Sequence, residues 1–90
     1  MFKEIENRKK FTVFAIEEYR HRKGLDGKTA IGLLEKSGLL QYIEDFFDVL
    51  HSYGTEYLIA DFDDYLKNRK RNDYRLNETE KAAWEKIISG

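Results

Sequence analysis

The sequence predicts an all-α protein, a small single-domain bundle of four to five helices, and three observations support this. The chain contains no proline, so no residue is bound to interrupt the backbone hydrogen bonds of a helix. It is rich in Glu, Lys, Leu and Ala, which keep most of their side-chain freedom in a helix, and glycines divide it into segments. At 90 residues it is too short for two independent cores.

The first predicted helix runs from Phe2 to Lys23. Apolar residues recur in it at helical spacing, its last turn is basic, and Gly24 follows as a suitable end. The central residues 11–16, FTVFAI, are mostly β-branched or aromatic, so a short strand is the competing interpretation of this part. We favour the helix because the apolar positions continue at helical spacing beyond it.

Two further helices follow between glycines. Asp26 can cap the second helix, which should point Ile31 and Leu34 inward and end at Gly38. The third segment, GLLQYIEDFFDVLHSYG, has the clearest apolar stripe in the chain. We expect one continuous helix at the centre of the core, and with Ile16 the following side chains of its stripe should be buried: Leu39, Ile43, Phe46, Phe47 and Leu50.

The fourth helix is predicted in the segment TEYLIADFDDYLKNRK, where two starting points compete. Residues 57–59 can form either a helical turn or an extended entry to a helix that starts at Asp61. We prefer a break at Ile59 with Asp61 as the N-cap. Asp63 and Asp64 would then lie in the first turn, where the helix dipole favours anions.

The C-terminal part is predicted to be a linker and a fifth helix. Residues 70–77, KRNDYRLN, have no apolar rhythm and indicate an exposed connection. Asn77 and Glu80 resemble a capping box that opens a helix with Trp84, Ile87 and Ile88 on one stripe. The expected organisation is a helical core over residues 1–67, followed over residues 68–90 by a linker and a helix that packs on the core or on a second chain.

Composition and charge exclude several kinds of function. Sixteen Lys and Arg against 17 Asp and Glu give a net charge of −1, which provides no overall attraction to nucleic acid or anionic membranes. The absence of cysteine excludes disulfides and thiolate metal sites and fits a cytoplasmic protein. No apolar run is long enough to span a membrane, and the charged N-terminus does not resemble a signal peptide.

No constellation of residues indicates catalysis, a metal or a cofactor. His21 and His51 lack the spacing of metal ligands, and the aspartates at 61, 63 and 64 do not converge on one point of a helix. No serine or histidine pattern resembles a catalytic triad. We therefore expect a protein that is not an enzyme, with no catalytic residues, no bound metal and no cofactor.

The aromatic content indicates a binding surface. Six Tyr, six Phe and one Trp in 90 residues exceed what one small core usually buries. Phe11 and Phe14 lie on the side of the first helix opposite Ile16, so that helix is apolar on two faces. We expect Phe11, Phe14 and Trp84 to contact a partner. That partner would be the C-terminal helix itself, a second copy in a homodimer, or another protein.

Three segments resemble a small uncharacterised bacterial family, the family of unknown function thirty-seven ninety-one. They are FTVFAIEEY at residues 11–19, LLEKSGLLQYI at residues 33–43, and DVLHSYGTEYLIADFDDYL at residues 48–66. The resemblance implies a helical accessory protein, often encoded beside ADP-ribosyltransferase-like genes, and thus a toxin–antitoxin or regulatory pairing. His51 and Asp61 are the matching polar positions, and they are expected to hold together the helices on either side of one turn.

The leading hypothesis is therefore a non-enzymatic protein-binding module, antitoxin-like or regulatory. The alternative is a small nucleic-acid-binding transcriptional regulator that uses the fourth helix and the basic linker against phosphates.

Overall fold

The computed structural model describes residues 2–68 and 75–89, with side chains from residue 7 onward. These residues form six helices: α1 Phe2–Lys23, α2 Gly27–Ser37, α3 Leu39–Asp45, α4 Phe47–Leu50, α5 Thr55–Lys67 and α6 Glu78–Ser89. The all-α class is confirmed, and the strand alternative for residues 11–16 is wrong, because this segment is helical. The predicted linker lies largely outside the described residues, since its residues 70–74 are not described.

Helix ends that depend on local chemistry are where the sequence places them. Gly24 and Gly38 follow α1 and α2 with φ of 66° and 89°, in the left-handed region that favours glycine. Asp26 caps α2 by accepting a hydrogen bond from the Thr29 amide at 3.4 Å. At α6, the Asn77 side chain accepts from the Glu80 amide at 2.8 Å, and Glu80 accepts from the Asn77 amide at 3.0 Å. The capping box is confirmed.

The third helix is not continuous, which corrects the prediction of one long helix. The chain leaves helical geometry at Phe46, with φ of −111° and ψ of 26°, and resumes in α4. This break turns Phe47 into the core, at 8% exposure, and leaves Phe46 on the surface, at 51%. Adjacent residues of a helix point about 100° apart, so both phenylalanines could not face the same core.

The predicted break at Ile59 is also wrong. α5 begins at Thr55 after Gly54 and runs without interruption past Asp61, which is therefore not an N-cap. The reason is the buried stripe of Leu58, Ile59, Phe62 and Leu66, which needs residues 57–59 to be a helical turn.

One hydrophobic core joins all six of these helices. α1 contributes Ala15 and Tyr19, and Ile16 is only partly buried against the cluster. Leu34 is buried as expected, whereas Ile31 is 50% exposed and does not face inward. The remaining fully or nearly buried members of the cluster are Leu33, Leu39, Ile43, Leu50, Leu58, Ile59, Phe62, Leu66, Ala83, Trp84 and Ile87.

α6 packs on α2 and α5 of its own chain. Glu80 of α6 lies against Gly32 of α2, where a Cβ atom would overlap the Glu80 carboxylate. Lys36 of α2 donates to the same carboxylate at 2.7 Å. Within its own chain the C-terminal helix does not rest on Phe11 and Phe14, because its apolar stripe packs between α2 and α5.

Candidate partner-binding surface

Phe14 is the most exposed of the three side chains predicted to contact a partner. It lies on the outer side of α1 and is 45% exposed, while Phe11 is partly buried. The two ring centroids are 6.5 Å apart because residues three positions apart in a helix are neighbours on its surface. α1 buries its opposite side through Thr12, Ala15 and Tyr19. Phe11 and Phe14 therefore begin an aromatic surface at the edge of the core.

This surface continues onto α4. Phe47 contacts Phe11 edge to face, with ring centroids 5.6 Å apart and the rings inclined at 72°. The imidazole of His51 stacks on Phe47 at 4.7 Å. We call the row of Phe14, Phe11, Phe47 and His51 the phenylalanine strip. Its exposed ends are Phe14 and His51, and its two middle rings are partly or fully buried.

Charged and polar groups border the strip at Arg8. The Arg8 guanidinium lies 5.0 Å from the centre of the Phe47 ring and donates to the carbonyl oxygen of Glu44 at 2.9 Å. It also lies 3.9 Å from the Asp48 carboxylate. A shallow groove beside Arg8 is lined by Lys9, Thr12, Val13 and Glu44. An apolar centre with a polar rim is the composition of a protein–protein interface.

His51 and Asp61, the two polar positions of the family resemblance, have different partners. Nδ1 of His51 is 2.8 Å from the carbonyl oxygen of Phe47, within its own turn of helix. Asp61 accepts a hydrogen bond from the Tyr42 hydroxyl at 2.8 Å and so connects α5 to α3. Burial, together with the Asp61 carboxylate, raises the pKa of Tyr42 to about 12. The structure does not bring His51 and Asp61 into one hydrogen bond.

Trp84 does not share a surface with Phe11 and Phe14. It is 4% exposed and belongs to the hydrophobic core, where α6 meets α2 and α5. Of the three side chains predicted to contact a partner, Phe14 is therefore the one that is chiefly exposed. Phe11 lies beside it, and Trp84 does not.

Sequence reasoning missed the contacts that join distant helices. Asp63, predicted in the first turn of a helix, accepts from the Tyr19 hydroxyl and from Lys23, each at 2.7 Å. Burial and the neighbouring carboxylate raise the pKa of Tyr19 far above its usual range. The only signal in the sequence for such a contact is a row of aspartates in a helix whose other face is apolar, and that signal does not identify the partner.

The described residues lack two features that would indicate a class of function. No helix in residues 2–68 or 75–89 has the length and apolar character needed to cross a bilayer. Within the same residues, His, Asp and Glu side chains form no group of three or more arranged to hold a metal ion.

Comparison with known proteins identifies a family without assigning an activity. No curated protein and no solved structure matches the chain. A family model described as "Protein of unknown function (DUF3791)" matches residues 10–69, from the middle of α1 to the end of α5. The phenylalanine strip, apart from the Arg8 contact at its edge, lies within this match, whereas α6 lies outside it. Because the match covers two thirds of the sequence, the chain belongs to this family of proteins of unknown function.

Proposed function

We propose that this protein is a non-enzymatic protein-binding module that contacts its partner through the phenylalanine strip. The observation that supports this most directly is the exposure of Phe14 at one end of an aromatic row whose two middle rings are packed. Partly buried aromatic side chains that protrude at one end are typical anchors of protein interfaces. The guanidinium and carboxylate groups around Arg8 would form the polar rim.

The resemblance to the family suggests which partner to test first. If the neighbouring gene encodes an ADP-ribosyltransferase-like protein, we propose that this chain binds and regulates it in the manner of an antitoxin, in the bacterial cytoplasm. A homodimer is the second form of protein binding that we consider, with another copy of the chain seated on the same strip.

The test is co-purification of the full chain with the neighbouring protein, using two matched variants. Phe14→Gln and Ile31→Gln each replace a large apolar side chain that is about half exposed on a helix, 45% and 50% respectively. We expect Phe14→Gln to raise the Kd of the complex at least tenfold, because the variant lacks an interface anchor. The Ile31 variant should bind like the unaltered protein. Equal binding by the Phe14 variant would contradict the proposed surface.

A nucleic-acid-binding regulator is the alternative. Most of the basic linker that it would use lies outside the described residues, and several basic side chains elsewhere are paired. Three arginines and two lysines in the described residues form ion pairs with carboxylates of the same chain and are not presented as a free basic patch: Arg8, Arg20, Arg22, Lys23 and Lys36. A gel shift on the DNA upstream of the gene tests this alternative, because phosphate contacts must weaken steeply as salt rises.

A further inference from the structure

A second aromatic surface lies on another side of the molecule, between α3 and α5. Tyr42 stacks on Tyr65, with ring centroids 4.7 Å apart, and contacts Phe46 at 5.1 Å. Phe46 stands at the α3–α4 break and is half exposed. We call these three rings the tyrosine groove. Gly38, Gln41 and Asp45 complete its lining.

The charges around the tyrosine groove are all negative among the described residues that line or directly contact it. Asp45 is exposed and accepts a hydrogen bond only from the neutral Gln41 amide, at 2.9 Å. Asp61 accepts from the neutral Tyr42 hydroxyl. Within the described part of the chain, neither carboxylate has a cationic partner.

Elsewhere in the molecule, carboxylates that connect helices are neutralised. Asp63 pairs with Lys23 at 2.7 Å, and Glu80 pairs with Lys36 at the same distance. Glu56 pairs with Arg22 at 2.6 Å. The tyrosine groove thus differs from these contacts in combining exposed aromatic ring surface with carboxylates that have no cation.

Aromatic faces attract cations through their quadrupole, and arginine favours such sites because its flat guanidinium stacks on a ring while it donates to a carboxylate. From this charge complementarity we infer that the tyrosine groove binds an arginine side chain from an exposed segment of a partner protein. The guanidinium would stack on Phe46 and Tyr65 and donate to Asp45. Nucleic acid and anionic lipid would be repelled from the same place by the carboxylates.

This inference deepens the proposed function, because it names a second contact of the same binding module and the chemistry of the partner. It concerns a different face from the phenylalanine strip. The proposed function and this inference can therefore fail separately. Co-purification tests Phe14, whereas binding of a peptide by the purified chain tests the tyrosine groove.

The experiment is a titration of the isotopically labelled full chain with an acetylated, amidated peptide of alternating Gly and Arg, followed by NMR. We expect the ring resonances of Tyr42, Phe46 and Tyr65 to shift, and the affinity to fall as salt rises. Phe46→Gln and Asp45→Asn should each weaken binding by about two- to fivefold, the range for single exposed cation–π and ion-pair contacts. Both positions are on the surface, so neither change removes a core side chain.

Matched controls distinguish the groove from general attraction to an acidic surface. Ile31→Gln and Glu78→Gln alter an exposed apolar side chain and an exposed carboxylate outside both candidate surfaces, and they should leave peptide binding unchanged. A peptide of alternating Gly and Lys should bind more weakly than the arginine peptide. The inference is overturned if the shifts fall outside the groove, if the control variants weaken binding as much, or if no binding occurs. It is also overturned if acetyl-arginine amide alone binds as tightly, because the ligand would then be a small guanidinium compound.

Discussion

At the scale of single residues, three carboxylates of partly or fully buried residues connect helices that are distant in the sequence. Asp61 joins α5 to α3, Asp63 joins α5 to α1, and Glu80 joins α6 to α2. Hydrogen bonds that involve a charged group are about twice as strong as neutral ones. Substitutions at these positions should therefore affect stability more than their location on partly exposed helices suggests.

Asp63 offers a direct comparison with its neighbour Asp64. Asp63→Ala should lower the free energy of unfolding by about 1.5–3 kcal/mol, because the buried Tyr19 hydroxyl loses its acceptor and Lys23 its partner. Asp64→Ala, at an exposed position of the same helix, should change it by less than about 0.5 kcal/mol. Urea unfolding followed by circular dichroism measures both. Similar values for the two variants would show that the contacts of Asp63 contribute little.

Gly32 tests how closely α2 and α6 approach. In an ordinary helix, replacing Gly by Ala stabilises by about 1 kcal/mol. Here the added Cβ would overlap the Glu80 carboxylate, which is buried and held by Lys36 and the Asn77 amide, so Gly32→Ala should destabilise by about 1–3 kcal/mol. Gly27→Ala, where a Cβ would have no neighbour within 4 Å, is the control and should not destabilise. When Glu80 is also replaced by Ala, Gly32→Ala should stabilise the protein, as it does in an ordinary helix. A double-mutant cycle measures this coupling.

Glu80 also predicts a dependence of stability on pH. Burial opposes its ionised form, but the hydrogen bonds from Lys36 and the Asn77 amide outweigh burial and hold its pKa below the usual 4.5. The folded state therefore favours the carboxylate, and the resulting stabilisation is present above pH 4.5 and is lost as pH falls through the lower pKa of the folded state.

Glu80→Gln removes this titrating group. We expect the difference in unfolding free energy between this variant and the unaltered protein to be about 1–2 kcal/mol near neutral pH. It should shrink as the pH is lowered to about 3. Urea unfolding at several pH values gives the difference, and a difference that does not vary with pH would contradict the lowered pKa. Lys36→Gln should reduce the same pH dependence.

At the scale of elements, the α3–α4 break determines which aromatic rings are available for binding. It places Phe47 within the phenylalanine strip and Phe46 against Tyr42. In an unbroken helix, the rings of Phe46 and Phe47 would not take the positions observed here. Both candidate surfaces thus depend on one departure from helical backbone geometry at Phe46.

Alanine substitution of these adjacent phenylalanines tests which of the two rings the α3–α4 break leaves buried. Phe47→Ala should lower the free energy of unfolding by about 3–5 kcal/mol, as for other buried phenylalanines. Phe46→Ala should cost about 1 kcal/mol, because the exposed ring loses chiefly its contact with Tyr42. Thermal or urea unfolding of the two variants decides the matter. Equal and large losses would show that Phe46 is buried as deeply as Phe47 and would contradict this backbone geometry.

The elements also show which features can be predicted from sequence. The ends of α1, α2 and α6 depend on residues within four positions of one another, such as Gly24 and the Asn77–Glu80 pair, so local rules suffice. The break at Phe46 and the start of α5 depend on which apolar side chains the rest of the core accepts. At both places the hydrophobic pattern permits either a continuous helix or a break, and only the packing of the tertiary structure decides between them.

The candidate surfaces also combine a feature that can be predicted from sequence with contacts that cannot. The exposure of Phe14 follows from a helix with apolar residues on two sides, which a helical projection reveals. The contact of Phe11 with Phe47 and that of Tyr42 with Asp61 join different helices. Neither pairing is encoded by spacing along one helix, so the positions of both surfaces emerged only with the tertiary structure.

At the scale of the whole molecule, the hydrophobic core extends beyond the segment that defines the family. The family match ends at residue 69, yet Ala83, Trp84 and Ile87 of α6 belong to the same buried cluster as the side chains of α2 and α5. Without α6, apolar side chains of these two helices would face solvent. Stability and oligomeric state therefore depend on where α6 binds.

Sedimentation of the full chain and of a chain ending at Arg71 tests this dependence. Because α6 fills the groove between α2 and α5 of its own chain, we expect the full chain to be a monomer. The shortened chain should self-associate or lose cooperative unfolding, since losing the Trp84 contacts alone costs about 3–5 kcal/mol of the about 5–15 kcal/mol that stabilises a small domain. A synthetic peptide of residues 75–90 should restore the monomer and its cooperative unfolding when added in excess. If the full chain is instead a dimer that becomes a stable monomer on shortening, the C-terminal helices are exchanged between two copies, and packing within one chain is the wrong arrangement in solution.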